Sequence, residues 1–243
     1  MRGATLAQVH PTAVVGDGVE LGERVTIGPN AVVLGPCRIG DDCWIGPGCV
    51  IGTPPEISSL PHNRAWDGEL AHLGVEIGAR TVVRELSTIH QGSHRPTRIG
   101  SDCWLLNRVY VAHDGQVGDQ VTVSAGVSMG GHVVVGDRVN IGMNAVVHQR
   151  RVIGPGAMVG MGAAVTRDVP PFAKAFGTPV RLRGVNAVGM VRAGVGEDAV
   201  RALDAAYAEL RMPESVPANL ADAFAWWAAA EPARPLVPVA ARA

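Results

Sequence analysis

The chain of 243 residues holds eight histidines, and four of them fall into one pattern. His90 follows Ile89, His113 comes two after Val111, His132 three after Met129 and His148 one after Val147. Ile89, Val111, Met129 and Val147 are equivalent positions of a repeat, so the four imidazoles stack along one strip. Imidazole titrates near neutrality and can take or return a proton during catalysis. Three such rings with an open fourth position could also hold zinc. The four rings sit at different offsets in their repeats, which staggers them and favours acid–base work over a metal. Asp114, beside His113, is positioned to orient or charge-stabilise it, although an aspartate at a corner is as often a turn former.

What positions these rings is a six-residue period. Val9, Val15, Leu21, Ile27, Val33, Ile39, Ile45 and Ile51 are all branched aliphatics, and six of these eight precede a glycine. The register lapses after Ile51, resumes at Ile77, Val83 and Ile89, and carries a four-residue excess, containing Ser93 to Pro96, before Ile99. It then runs unbroken through Leu105, Val111, Val117, Val123, Met129, Val135, Ile141, Val147, Ile153, Val159 and Val165. A hexad is a short strand plus a turn, and three hexads close one triangular coil of a parallel β-helix. Asp17-Gly18, Pro29-Asn30, Pro47-Gly48 and Pro155-Gly156 supply the corner geometry. Cys37, Cys43, Cys49 and Cys103 share one small inward position and read as core residues. Periodicity leaves the hand of the coil open.

Two stretches leave the pattern. Residues 53–74 form a loop too long for a corner, and long loops on rigid scaffolds are commonly functional. After Asp168-Val169-Pro170-Pro171 the coil stops. Val200, Leu203, Tyr207 and Leu210 then predict a helix, and Leu220, Phe224 and Trp227 a second one, together capping the last coil. The expected organisation is an all-β helix over 1–180, a C-terminal helical region over 181–230 and a loose tail over 231–243.

Composition bounds the function. A net charge of −1 gives no support for nucleic-acid binding. No stretch approaches 18 unbroken apolar residues, so no membrane span is expected. The first residues lack an apolar signal core, which makes the cytoplasm the expected compartment.

Several motifs carry a resemblance. VHPTAVV (9–15), ELSTIHQG (85–92), NRVYVAHD (107–114), MGGHVVVGD (129–137), NAVVHQ (144–149), RDVPPF (167–172) and RGVNAVGMVRAG (183–194) resemble the acyl-carrier-protein-dependent UDP-N-acetylglucosamine O-acyltransferases of lipid A synthesis. The likeness spans nearly the whole chain. It implies a left-handed parallel β-helix with a small C-terminal α-helical region, assembled as a homotrimer with sites between subunits. It implies His113 as the general base toward a sugar 3-hydroxyl, Asp114 as its assistant and the Gly131 N–H as the oxyanion donor. His90, Tyr110, His132 and Gln149 would line the sugar and pantetheine cleft, and Asn186 and Arg192 would lie near the nucleotide and carrier arm. Met161 falls where these enzymes keep a chain-length ruler, which implies a preference for acyl chains of about ten carbons or fewer over fourteen. The donor would be a thioester on the 4′-phosphopantetheine of acyl carrier protein, with no metal or dissociable cofactor. Arg150, Arg151, Arg181, Arg183 and Arg192 could together steer that acidic partner.

The departures bear on the acceptor. Loop 53–74 lacks the family's lysine-bearing segment, and Lys174 is the chain's single lysine. Tyr110 replaces a histidine, Val188 a glutamate and Ala193 an arginine. A different acceptor, such as an amino sugar or a secondary-metabolite intermediate, and an acyl-CoA donor therefore stay open. So do a non-catalytic scaffold and a zinc hydratase.

Overall fold

The computed structural model describes residues 6–60 and 72–236. The hexads form three parallel sheets, one on each face of a prism. The first sheet starts at Gln8–Val9 and has ten strands, the second starts at Val14–Val15 and has eight, and the third starts at Val19–Leu21 and has seven. Each strand pairs with the one a full coil away, as Tyr110 with Ser128 and Val111 with Met129. The parallel β-helix expected from the six-residue period is what forms.

The period works because each hexad points one large and one smaller side chain inward, as Ile45 and Cys43 do. Ile27, Ile45, Ile51, Ile89, Leu105, Met129 and Ile141 are fully buried. Each contributes about 1.5–3 kcal/mol of burial. The first coil has no coil beneath it, so Val9, Val14 and Val15 stay exposed. Gly18, Asn30, Gly48 and Gly156, the second members of the four expected turn pairs, all take positive φ. The four cysteines are buried free thiols. Burial pushes Cys49 and Cys103 up to about 11, so they offer no reactive thiolate near neutrality.

Both departures from the six-residue period leave from the same edge, the corner between the second and third sheets. The strand Val50–Thr53 of the second sheet precedes the excursion and Val75–Ile77 of the third follows it. The four-residue excess separates Thr88–His90 from Thr97–Ile99 at the equivalent corner one coil later. Residues 61–71 of the long loop lie outside the described residues.

At the C-terminal end, Ala173–Phe176 continues the first sheet, and Arg181–Val185 returns antiparallel to it. Helices α1 (Ala187–Arg192), α2 (Glu197–Ala208) and α3 (Ala221–Ala229) follow. Helix α2 packs on the returning strand: Leu203 and Tyr207 are buried, and the Tyr207 hydroxyl donates to the Pro171 carbonyl at 2.7 Å. Leu210, expected on the same face, lies beyond the helix with φ 54° and is exposed, because the chain reverses there. Leu220, Phe224 and Trp227 are buried as expected. Arg234 and Leu236 hydrogen-bond the backbone of Asp168. No helix among the described residues is long and apolar enough to cross a membrane.

Candidate active site

The edge between the second and third sheets gathers the chemistry. The corner 112–115 carries His113 and Asp114, the corner 130–133 of the next coil carries Gly131 and His132, and the one after carries His148, Gln149 and Arg150. Asp114 and His132 hold φ of 61° and 59°, the left-handed geometry these corners demand.

Asp114 is fully buried, and its two carboxylate oxygens accept five hydrogen bonds. The N–H groups of Ser93, His94 and Arg95 donate to Oδ1 at 3.0, 2.7 and 2.9 Å. The Ser93 hydroxyl and His113 Nδ1 donate to Oδ2 at 2.7 and 2.6 Å. Burial disfavours the charge, but the bonds from His113, Ser93 and the backbone of His94 and Arg95 outweigh it. The carboxyl is held below the usual carboxylate range.

A carboxylate only accepts, so Nδ1 of neutral His113 carries the proton and Nε2 carries the lone pair. That lone pair lies over Gly131. A Cβ on Gly131 would stand 2.5 Å from His113 Nε2 and 2.6 Å from Cε1. Glycine here leaves room for the imidazole, which any side chain would displace; its φ is not positive. Among the described residues, nothing accepts from the Gly131 N–H. A base and an unpaired donor therefore share one small volume.

His132 meets His113 edge-on at 4.9 Å between centroids and stacks on His94 at 5.6 Å. Its Nε2 is 3.8 Å from Asp114 Oδ2. Burial lowers its pKa; Arg150, His113 and His94 add to the effect and Asp114 opposes it. His113, Asp114 and His132 could hold a metal, with ligand atoms all within 4.8 Å of one another. A cation there would have to displace the Ser93 hydroxyl or His113 Nδ1 from Oδ2.

His90, one coil below, meets Tyr110, on the strand leading to the His113 corner, edge-on at 5.3 Å. His90 Nδ1 donates to the Pro54 carbonyl at 2.9 Å, which leaves Nε2 as an acceptor. Glu56, on the long loop, lies 3.6 Å from His90 Nδ1. Burial pushes the Tyr110 hydroxyl up, and the charge of Glu56 and its hydrogen bond push the same way. Buried Gln91 ties this corner to the early coils, donating to the carbonyls of Gly52 and Gly35. One coil above the base, His148 and Gln149 are exposed, and His148 Nδ1 donates to the Gln149 carbonyl.

The remaining expected residues lie elsewhere. Asn186 and Arg192 line a cleft of about 550 Å³ along the first sheet, with Arg138, Met158, Phe172 and Lys174. Asn186 is engaged in structure: it caps α1 through Gly189 N–H and donates to the Gly156 carbonyl. Met161 sits at the corner between the first and second sheets, 72% exposed. Arg151 is not part of a surface basic patch; it is buried and lies 3.1 Å from buried Asp168. Sequence reasoning missed Glu56, Gln91, Ser93, His94 and Arg95. The excess before Ile99 was the available signal for the last three, but length alone does not say what a longer corner binds.

The repeat fold, with an imidazole nitrogen beside an open amide at its edge, is that of a hexapeptide-repeat acyltransferase. The profile of the hexapeptide repeat of succinyl-transferases matches residues 36–54 and 132–167, and that of UDP-N-acetylglucosamine O-acyltransferase domain 2 matches 168–236. The acyl-[acyl-carrier-protein]–UDP-N-acetylglucosamine O-acyltransferase of Paraburkholderia phymatum is 37% identical over 217 residues, which cover 83% of this chain and 82% of that protein. The one from Thiobacillus denitrificans is 35% identical over 83% of each. The structure of the UDP-N-acetylglucosamine acyltransferase from Campylobacter jejuni superposes with a TM-score of 0.76 at 25% identity, covering 97% of this chain and 98% of that one. The chain belongs to the acyl-[acyl-carrier-protein]–UDP-N-acetylglucosamine O-acyltransferase family.

Proposed function

We propose that this acyltransferase moves an acyl or 3-hydroxyacyl group from an acyl carrier protein thioester to the 3-hydroxyl of a UDP-N-acetylglucosamine-like sugar, with His113 as general base. The observation that carries this reading is the His113 Nε2 lone pair beside the unpaired Gly131 N–H. Nε2 takes the proton of the acceptor hydroxyl as its oxygen attacks the thioester carbonyl. The Gly131 N–H donates to the oxyanion that develops. Asp114 stabilises the imidazolium, which then returns the proton to the departing pantetheine sulfur. No metal is needed, and a carrier-protein donor fits a cytoplasmic enzyme.

The base lies on one edge of the prism and the cationic cleft of Arg138, Lys174 and Arg192 on the first sheet. A second copy whose first sheet faces this second sheet would unite them, and cyclic closure gives a homotrimer. Exposed Leu86, Trp104, Met143 and Val146, on those two sheets and the corner joining them, support that packing. An amino-sugar acceptor is the second reading. Glu56 beside His90 favours it, since a carboxylate attracts a protonated amine more strongly than a hydroxyl.

Incubation with UDP-N-acetylglucosamine, its 3-amino analogue, and carrier-protein and CoA thioesters of ten and fourteen carbons tests the assignment. His113→Ala should lower turnover by roughly 10²–10⁴ while the assembly persists. A His113→Ala enzyme close to wild type removes the base. Equal use of CoA thioesters, with no salt dependence, removes the carrier protein. Equal rates at both chain lengths, unchanged in Met161→Gly, remove the ruler.

A further inference from the structure

Corners of four residues close the coil at 112–115, 130–133 and 148–151, so closure does not require the longer stretch 91–96. The extra residues instead wrap Asp114. Gly92 folds so tightly that a Cβ there would run into the Arg95 carbonyl oxygen, and this turn aims three successive N–H groups at Oδ1. The one side-chain donor of the stretch to the carboxylate is the Ser93 hydroxyl. It goes to Oδ2, the oxygen that also receives His113 Nδ1.

We infer that Ser93 is a positioning residue of the base, setting the strength of the Asp114–His113 hydrogen bond through its own bond to the shared carboxylate oxygen. A hydroxyl donating to Oδ2 draws charge away from Nδ1–H. Without it, Oδ2 presents more negative charge to the imidazole, which favours the imidazolium. The acidic limb of the pH–kcat profile then moves upward. The other charged or titratable groups facing the pair are His94 and Arg95 on the same corner, Arg95 Nε donating to the Asp114 carbonyl. His132 faces Oδ2 from the next coil, and Arg150 acts on His132 from the coil beyond. Substitution at Ser93 leaves all of them in place.

The inference rests on the reading of His113 as base, and the test separates the two. The pH dependence of kcat would be measured at saturating substrate for wild type, Ser93→Ala, Ser93→Cys, Ser93→Thr and His113→Ala, alongside thermal unfolding. Ser93→Ala should raise the acidic limb by about half a pH unit and lower kcat near neutral pH by up to about threefold. Ser93→Cys, a weaker donor of similar volume, should move the limb in the same direction by less, and supplies the reading if the alanine variant does not fold. Ser93→Thr should restore the wild-type limb. An unmoved limb in Ser93→Ala and Ser93→Cys, with His113→Ala inactive, overturns the role of Ser93 and leaves the base standing. A His113→Ala enzyme with wild-type turnover overturns the base itself.

Discussion

Two edges of the same prism use one backbone device for different ends. At the edge between the third and first sheets, Arg24, Asp42, Arg80 and Asp102 take φ between 55° and 58°. They pair as a ladder, Arg24 with Asp42 and Arg80 with Asp102, each at 2.6 Å. At the edge between the second and third sheets, Asp114 takes φ of 61°, nearly the same geometry. Yet Asp102 keeps 39% of its side chain exposed, and Asp114 keeps none. Water screens the ladder, so its charges do little for one another. Asp114 is desolvated and held by five donors, so its charge acts unscreened on His113, which bonds it, and on His132 beside it. The repeat supplies the corner; the insertion that covers the carboxylate turns the corner into a site.

Asp114→Asn should be the largest break in that contrast. The amide cannot hold His113 as a carboxylate does, and the imidazole loses its fixed tautomer. Turnover should fall by roughly 10²–10⁴, measured at saturating substrate. An enzyme within threefold of wild type would mean that burial of this charge serves folding alone. The same carboxyl makes stability depend on pH. Its folded value lies below its unfolded one, so its contribution is complete above about pH 4 and is lost as pH falls toward the depressed value. Acid unfolding of Asp114→Asn should accordingly be less steep than that of wild type.

Gly131→Ala should come next. The added methyl meets the base before any substrate does, so the imidazole must swing aside, with an expected loss of about 10²–10³ in kcat and little change in Tm. Unchanged turnover would show that Nε2 has freedom to move. The smallest effect belongs to the other edge: Arg80→Ala should leave kcat intact and move Tm by no more than about 2 °C. A larger loss would mean that the ladder is coupled to the site through the coils.

How much of this was legible differs by level. Stepping by six identifies the large inward side chains, because a buried position that recurs in every hexad is a one-dimensional constraint that any reading of the chain can find. Stacking of His90, His113 and His132 on one edge follows from the same arithmetic, since hexads three apart share a face. His90 and His148, each one residue past its buried aliphatic, share the edge but not the ring contacts that join His94, His113 and His132. Leu210 kept the helical period after the helix had ended, since periodicity carries no stop signal of its own. Glu56 and Gln91 were invisible, because their partners lie 19 to 56 residues away along the chain.

The amino-acid sequence by itself determined the β-helix, its edges and the candidate base. Each depends on residue type repeating at a fixed interval, and a repeat is a local property. The tertiary structure alone decided which tautomer Asp114 imposes on His113, what a side chain at position 131 would meet and which carboxylate the longer corner at 91–96 wraps. Those facts are set by distances between coils. Separation in space across a stacked coil has no fixed relation to separation along the chain once insertions of 4 and about 20 residues interrupt the period. Burial completes the reason: a carboxylate in water and one enclosed by five donors are the same letter in the sequence, and only the folded chain makes them chemically different.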